Sequence, residues 1–170
     1  WNVHEEAFFK DSKFAEVVSL IKPRISYGLN GNVNGIGNFD VYGKYGSVGA
    51  YNGNLGYLNT GVVNSKLRWE KSHTFELGLD LGFFNNRVHM IMDYYNRTTS
   101  DLLTDVNLPE YTGFPSFKTN LGTISNRGFE LEAKVNLLTK KDWSWDVTAN
   151  TSFVKNMVKK LPFNGNVNNR

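Results

Sequence analysis

The 170-residue chain has no cysteine and only four prolines. Without cysteine it can form neither a disulfide framework nor a thiolate metal site. It also lacks any run near the roughly 18 apolar residues of a transmembrane helix. No block of like charge exists either: 19 Lys and Arg are interspersed with 16 Asp and Glu, leaving a formal charge of +3. A pI near 9.0 therefore does not define a nucleic-acid surface, and no nucleic-acid partner is expected. Neither an initiator Met nor a signal peptide is visible. Trp1 to Val3 has the look of a strand's end, so the chain is expected to be a section of something longer.

What is abundant points to strands. Hydrophobic residues make up 40%, aromatics 14%, and there are 16 glycines. Asn and Gly cluster between alternating runs, which suits many strands joined by loops. The mean hydropathy of −0.41 is no objection to a membrane wall, because such a wall carries its apolar band on every second residue only.

Residues 69–99 organise the rest (WEKSHTFELGLDLGFFNNRVHMIMDYYNRTT). Phe75, Leu77, Leu79, Leu81 and Phe83 alternate with Glu76, Gly78, Asp80 and Gly82. Beyond Asn85-Asn86, Val88, Met90, Met92 and Tyr94 share a face opposite His89, Asp93 and Arg97. This period of two predicts a hairpin with one apolar and one polar side. Asn tolerates the positive φ of a tight hairpin turn. Each arm reaches the roughly ten residues that a tilted strand needs to cross a bilayer.

Alternation resumes elsewhere. From Ile21 to Asn30, Pro23, Ile25, Tyr27 and Leu29 oppose Arg24, Ser26 and Gly28. From Asn126 to Leu138, Phe129, Leu131, Ala133, Val135 and Leu137 oppose Glu130, Glu132, Lys134 and Asn136. After Thr139-Lys140-Lys141-Asp142, Trp143, Trp145, Val147, Ala149, Thr151 and Phe153 oppose Ser144, Asp146, Thr148, Asn150 and Ser152. His4 to Leu20 breaks the pattern. Asp11 or Ser12 is placed there to cap a short connecting helix that gathers Phe14, Val17 and Val18. Docking to a partner is the alternative use of such a helix.

Two connections are long. Residues 31–64 are rich in Gly, Asn and Tyr, and connections of this length tend to be functional. Their glycines lack the strand-then-helix setting of a phosphate loop. Tyr42, Tyr45, Tyr51 and Asn54 are the candidate ligand-facing residues, with Tyr57 beside them, because aromatic faces and amides hold sugars well. Ordinary packing between rings is the competing account. In residues 100–125, Leu102, Leu103, Val106 and Leu108 suggest a continuing strand, Tyr111 to Pro115 a turn, and Phe117 to Ile124 a return limb. A Gly/Asn-rich loop is expected over residues 161–170.

A soluble sandwich and a membrane barrel both produce alternation. Three features favour the barrel. Charge is absent from the apolar faces named above, from Ile25 through Phe153, where Lys or Arg at the midplane would cost about 2–4 kcal/mol. Aromatics gather at strand ends: Phe83 and Phe84 at one turn, Trp143 and Trp145 at the other, Tyr94 and Tyr95 opposite. Short turns fall on one rim and long loops on the other, as in outer-membrane barrels, except that His4–Leu20 puts one longer connection on the short-turn side. The polar faces also carry Glu76, Asp80, Asp93, Glu130, Glu132 and Asp146, more charge than a dry core could pair.

Several motifs, in order, resemble the SusC/RagA-type TonB-dependent transporters. They are Lys22-Pro23-Arg24-Ile25-Ser26-Tyr27-Gly28, Leu67-Arg68-Trp69-Glu70-Lys71, the run from Glu76 to Arg87, Asp93-Tyr94-Tyr95-Asn96-Arg97-Thr98-Thr99, and Asn126-Arg127-Gly128-Phe129-Glu130-Leu131-Glu132. The resemblance implies an all-β fold: an antiparallel transmembrane β-barrel segment, about five full strands of a twenty-two-stranded barrel, with long extracellular loops. Residues 1–170 would belong to the C-terminal barrel domain, with the plug domain and the TonB-contact segment outside this chain. It implies import of oligosaccharides or peptides across the Gram-negative outer membrane, powered by the TonB complex. A SusD-like surface lipoprotein would be the partner and outer-membrane lipid the surroundings. No cofactor is expected.

Enzymatic readings are weaker. His89 and Asp93 lie about 13 Å apart along a strand, too far for a general-base pair, and His4 and His73 have no ligand spacing around them. Glu130 and Glu132, about 7 Å apart on one face, have a spacing compatible with glycoside hydrolysis, but a solvated polar face, or pairing with Lys134 and cations of neighbouring strands, is the better account of them. The non-enzymatic alternative to transport is a soluble β-sandwich that binds glycans. The two part on one measurement. Purified without detergent, a sandwich stays monomeric and unfolds cooperatively, whereas a barrel section is expected to aggregate through its open edges and apolar face.

Overall fold

The structure, a computed structural model, describes residues 1–161. All but the first residue of the Gly/Asn-rich loop expected over 161–170 lies outside the described residues. In chain order the strands are β1 (Val18–Asn32), β2 (Tyr45–Tyr51), β3 (Asn54–Asn59), β4 (Glu70–Phe83) and β5 (Val88–Ser100). They continue with β6 (Leu103–Asn107), β7 (Ser116–Asn120), β8 (Thr123–Lys140) and β9 (Trp143–Lys160). Five form one sheet in the order β1-β4-β5-β8-β9, while β2-β3 and β6-β7 are separate two-stranded sheets. Among the described residues no helix is long and apolar enough to cross a membrane.

Side-chain bonds give the directions of the main sheet. Arg24 to Asp80 and Ser26 to Glu76 run β1 antiparallel to β4, and Arg97 to Thr74 does the same for β5 and β4. The Asn136 amide donates to the Arg87 carbonyl at 2.8 Å, joining β8 to β5. Asn136 to Asp146 and Asn156 to Asn126 run β9 back along β8. The chain divides into two compact units. One comprises Trp1–Gly28, His73–Arg97 and Asn126–Met157; the other comprises Leu29–Ser72, Thr98–Ser125 and the chain from Val158.

The turns follow from residue chemistry. Phe84 to Arg87 joins β4 to β5, with Phe84, Asn85 and Asn86 all left-handed at φ 54°, 56° and 60° and the Arg87 amide on the Phe84 carbonyl. Asn52-Gly53, at φ 50° and 75°, is a two-residue turn between β2 and β3, and two central residues at positive φ are the type I′ pattern that matches strand twist. That Asn-Gly pair makes a hairpin out of part of the stretch read above as a long loop.

Three expectations are corrected. Trp1 to Val3 is not the end of a strand: a 3-10 turn occupies Val3–Glu5. The helix lies earlier than expected, at Ala7–Lys10, and Lys13–Glu16 is only a 3-10 turn. Ser12 makes no capping bond; its hydroxyl donates to the Phe9 carbonyl at 2.6 Å, and Val18 already belongs to β1. Residues 100–125 do hold the expected strand, turn and return limb, as β6, a 3-10 turn at Glu110–Thr112 with Gly113 at φ 75°, and β7. What is corrected is the continuity, since β6 does not prolong the main sheet but pairs only with β7 in a sheet of its own.

In the unit containing Trp1–Gly28, the alternation holds on every strand and leaves one side uncovered. Ile25 and Phe153 are 73% and 68% exposed, and Trp143 is 74% exposed. A sandwich would lay a second sheet over these side chains. No strand pair does so in this unit, whose described strands all belong to the one sheet.

The opposite side is closely fitted. At Gly128 on β8 the Tyr95 ring of β5 takes the place of a side chain: a Cβ there would meet its Cζ at 2.6 Å. Gly128→Val should expel that ring and destabilise the wall by about 1–3 kcal/mol, the usual cost of overpacking. Urea unfolding of the complete barrel in detergent, followed by Tyr and Trp fluorescence, would measure it. Gly128→Val combined with Tyr95→Ala should recover part of the loss.

Candidate functional site

The polar side of the main sheet, within the unit containing Trp1–Gly28, is the first candidate surface. Arg24 on β1 is its centre. Its Nε and Nη2 donate to Asp80 Oδ1 at 3.1 and 2.9 Å, and Nη2 also donates to Asp93 Oδ1 at 2.9 Å. Asp93 lies on β5, two strands away, so the guanidinium has to pass over β4. It does so at Gly78, where a Cβ would sit 2.6 Å from Asp93 Oδ1 and 2.7 Å from Arg24 Cζ. Arg suits this role because its planar fork serves two carboxylates at once.

Neighbouring groups continue the polar surface. Ser26 donates to Glu76 Oε2 at 3.1 Å and Arg97 to Thr74 Oγ1 at 3.3 Å. Arg24, Glu76, Asp93, Tyr95, Arg97 and Glu130 line a depression of about 570 Å³. A second hollow of about 330 Å³ is lined by Asp93, Glu130, Glu132, Asn150 and Ser152. Both signs of charge, amides, a hydroxyl and a phenol ring face these spaces. Such an array offers hydrogen-bond donors and acceptors of the kind a polar solute needs. Among the described residues no His, Asp and Glu group together as metal ligands.

The second candidate surface is the β2-β3 hairpin, in the other unit. Cross-strand partners are Tyr45 with Asn59, Ser47 with Tyr57, and Tyr51 with Asn54. A bulge between Ser47 and Gly49 inserts Val48 and reverses the alternation. Tyr45 and Tyr57 consequently share one face, and Tyr51 and Asn54 share the other. Tyr42 lies before the hairpin, its amide on the Phe39 carbonyl at 3.0 Å. The four residues singled out from the sequence are all well exposed, but they form two surfaces instead of one.

A knot in that same unit anchors the second hairpin. Arg68 Nη2 donates to Asp101 Oδ1 at 2.6 Å. The Asn120 side chain accepts from the Arg68 amide at 2.8 Å and donates to the Arg68 and Asp101 carbonyls at 2.6 and 2.8 Å. Glu70 Oε1 takes the Leu103 amide at 2.9 Å. Asp101 sits at φ 57°, a left-handed conformation that Asp adopts more readily than most residues with a side chain. The hydrogen bond from Arg68, reinforced by its charge, holds the Asp101 carboxyl below its ordinary range.

Sequence reading placed Arg24, Asp80 and Asp93 on the polar side without joining them. The missed signal was Gly78, a residue without a side chain midway between two acidic positions. Nor was there any sign of the Arg68–Asp101–Asn120 knot, whose members lie 33 and 52 positions apart along the chain.

An open antiparallel sheet, polar on one side and bare apolar on the other, with short turns and elaborated loops, defines a section of β-barrel wall. The chain belongs to the TonB-dependent receptor-like β-barrel family, whose model matches residues 17–170. Within it the chain is of the SusC/RagA type. It is 38% identical over 165 residues to TonB-dependent receptor P3 of Formosa agariphila and 34% identical over 169 residues to TonB-dependent receptor SusC of Bacteroides thetaiotaomicron. Each alignment covers 95% of this chain and 16% of the relative. The RagAB peptide transporter structure superposes with a TM-score of 0.84 at 32% identity, covering 96% of this chain and 18% of that one. The chain thus spans about a sixth of the length of these relatives.

Two outcomes test this geometry. Arg24→Gln in the complete barrel should leave Asp80 and Asp93 without their shared cation. A double-mutant cycle with Asp93→Asn should show a coupling of about 1 kcal/mol, modest because the pair is partly exposed. The Asp101 contact should be present at pH values above the ordinary carboxylate range, near 3.8, and be lost as pH falls through the lower folded value. Hydrogen exchange at the Leu103 and Arg68 amides should report the opening. Asp101→Asn should remove that acid dependence.

Proposed function

We propose that this chain forms part of the C-terminal barrel wall of an outer-membrane, TonB-dependent importer of oligosaccharides or peptides, with its plug domain and TonB contact in other parts of the protein. The wall does no covalent chemistry. Its polar side borders the passage and its apolar side meets lipid. One observation carries this reading: Glu76, Asp80, Asp93, Glu130, Glu132 and Asp146 all fall on the polar side of their strands, and no carboxylate interrupts the apolar side. A water-filled lumen and a hydrocarbon exterior are the environments that this segregation fits. SusC and the RagAB transporter, both similar to this chain, support import as the task.

The cargo-facing part of the reading is the β2-β3 hairpin. Tyr42, Tyr45, Tyr51 and Asn54 contact cargo or the SusD-like lipoprotein that closes over the mouth. Aromatic rings offer flat apolar faces to sugar rings or peptide side chains, and Asn54, beside Tyr51, adds an amide. The bulge gives the hairpin two differently furnished faces, which suits an element placed between cargo and lid.

Single cysteines in the complete protein test the orientation. Nitroxides at Leu79 and Leu131 should be relaxed by lipid-soluble oxygen, and nitroxides at Asp80 and Glu132 by a water-soluble nickel chelate. The reverse pattern would sink the barrel reading. Tyr51→Ala should weaken cargo binding roughly three- to tenfold if its ring stacks on cargo. Isothermal titration with the transported oligosaccharide or peptide would measure it, and unchanged affinity across all four alanine variants would withdraw the hairpin from the site.

A further inference from the structure

The apolar side of the sheet ends abruptly at two cations. In the unit containing Trp1–Gly28, Asn126 bonds to Asn156 and Asn136 to Asp146 across β8 and β9 on the polar side. Arg127 and Lys155, each next in sequence to a member of the first pair, therefore lie near one another on the apolar side of these neighbouring strands. Each stands one outward position beyond a phenylalanine, Phe129 on β8 and Phe153 on β9. Both cations are exposed, and neither has a hydrogen-bond or ion-pair partner among the described residues. Like charges close together on a sheet face repel, so such a pair attracts an anion.

Among the described residues of this unit no strand carboxylate lies on that side. Depth indicates which anion the surroundings would offer. From Phe129 to Leu137 the apolar run covers about 26 Å of strand, or about 20 Å of membrane at a 40° tilt, before the tryptophans of β9. Arg127 and Lys155 therefore lie where hydrocarbon gives way to headgroups, at the strand ends from which the long connections leave. Tyr27 and His73, hydrogen-bonded at 3.0 Å on the same side, are the kind of amphipathic pair that occupies such an interface.

We infer that Arg127 and Lys155 form a docking site for the phosphate of an acylated lipid in the leaflet on the long-loop side, its chains lying against Phe129 and Phe153. Arg127 contributes the planar fork and Lys155 a mobile point charge. Lipid held there would be a fixed part of the barrel's surroundings beside the loops. The inference rests on the membrane reading proposed above.

The test uses the complete receptor that contains this chain, purified in detergent and loaded with diphosphoryl lipid A or with the same lipid stripped of phosphate. Native mass spectrometry counts the lipid retained. The wild type should retain the phosphorylated lipid preferentially. Arg127→Gln with Lys155→Gln should reduce that retention about tenfold or more, as loss of two interfacial cations implies. Arg127→Lys should keep most of it, and Lys134→Gln, a cation on the polar side, should change nothing. Inorganic phosphate alone should not displace the lipid. Heat-modifiable electrophoretic mobility shows that each variant is assembled, and the two single glutamine variants serve if the double variant is not. Equal retention of both lipids, unchanged retention by the glutamine variants, or displacement by inorganic phosphate would overturn the docking site while leaving the membrane reading intact. Failure to retain either lipid would overturn both.

Discussion

Each strand of the main sheet has to satisfy two different surroundings with one backbone. The amides and carbonyls of β4, β5 and β8 bond to a strand on each side, so their backbone needs nothing from either face of the sheet. Only the side chains distinguish the two sides, and the pleat assigns them alternately. In hydrocarbon this arrangement is one of the few available, since unpaired backbone polar groups there are strongly unfavourable. Everything else in the chain adapts to that constraint. Turns sit at Asn-Asn, Asn-Gly and Lys-Asp pairs because they must reverse the chain without slipping the register by one residue. A slip of one would turn Leu79 inward and Asp80 outward.

The polar side is stiffened by devices that span more than one strand. Arg24 ties β1 to β4 and β5 together through two carboxylates, and Gly78 clears its path. Tyr95 lies over Gly128 in the same way, filling with a ring the space left by a missing side chain. The wall therefore presents charge and hydrogen-bonding groups while Asp80 and Asp93 stay tied to a shared cation. In the other unit the Asn120 amide performs a related task, closing three backbone bonds around Arg68 and Asp101 at the root of the β6-β7 hairpin. The Leu67–Lys71 motif, which carries part of the family likeness, thereby acquires a structural meaning. It is the fastening point of a loop hairpin.

The two hairpins outside the main sheet show where pattern reading is weakest. Asn52-Gly53 is a strong turn signal, yet the strands flanking it are short and rich in glycine, so period-two alternation hardly registers. The bulge at Val48 then reverses the alternation within a single strand. No sequence rule places that reversal, because it depends on which residues of β3 lie opposite. Tyr45 and Tyr51 would share a face on an unbroken strand; in this hairpin they do not. The segment before β1 failed differently. A capping residue with apolar residues spaced after it was visible, but Val18 had already joined β1, and strand pairing outweighed a short helix without tertiary support.

By itself the sequence determined which side chains share a side of each long strand, where the tight turns fall, and that one side carries all the strand carboxylates. These are properties of neighbours one, two or four positions apart, and the pleat converts them directly into geometry. The tertiary structure alone decided which strand lies beside which and in what register. The Arg24–Asp80–Asp93 triad, the ring over Gly128, the neighbouring cations Arg127 and Lys155 and the split tyrosine faces all follow from that decision. Contacts between residues tens of positions apart carry no period, so they become definite only when the backbone bonds between strands have been made.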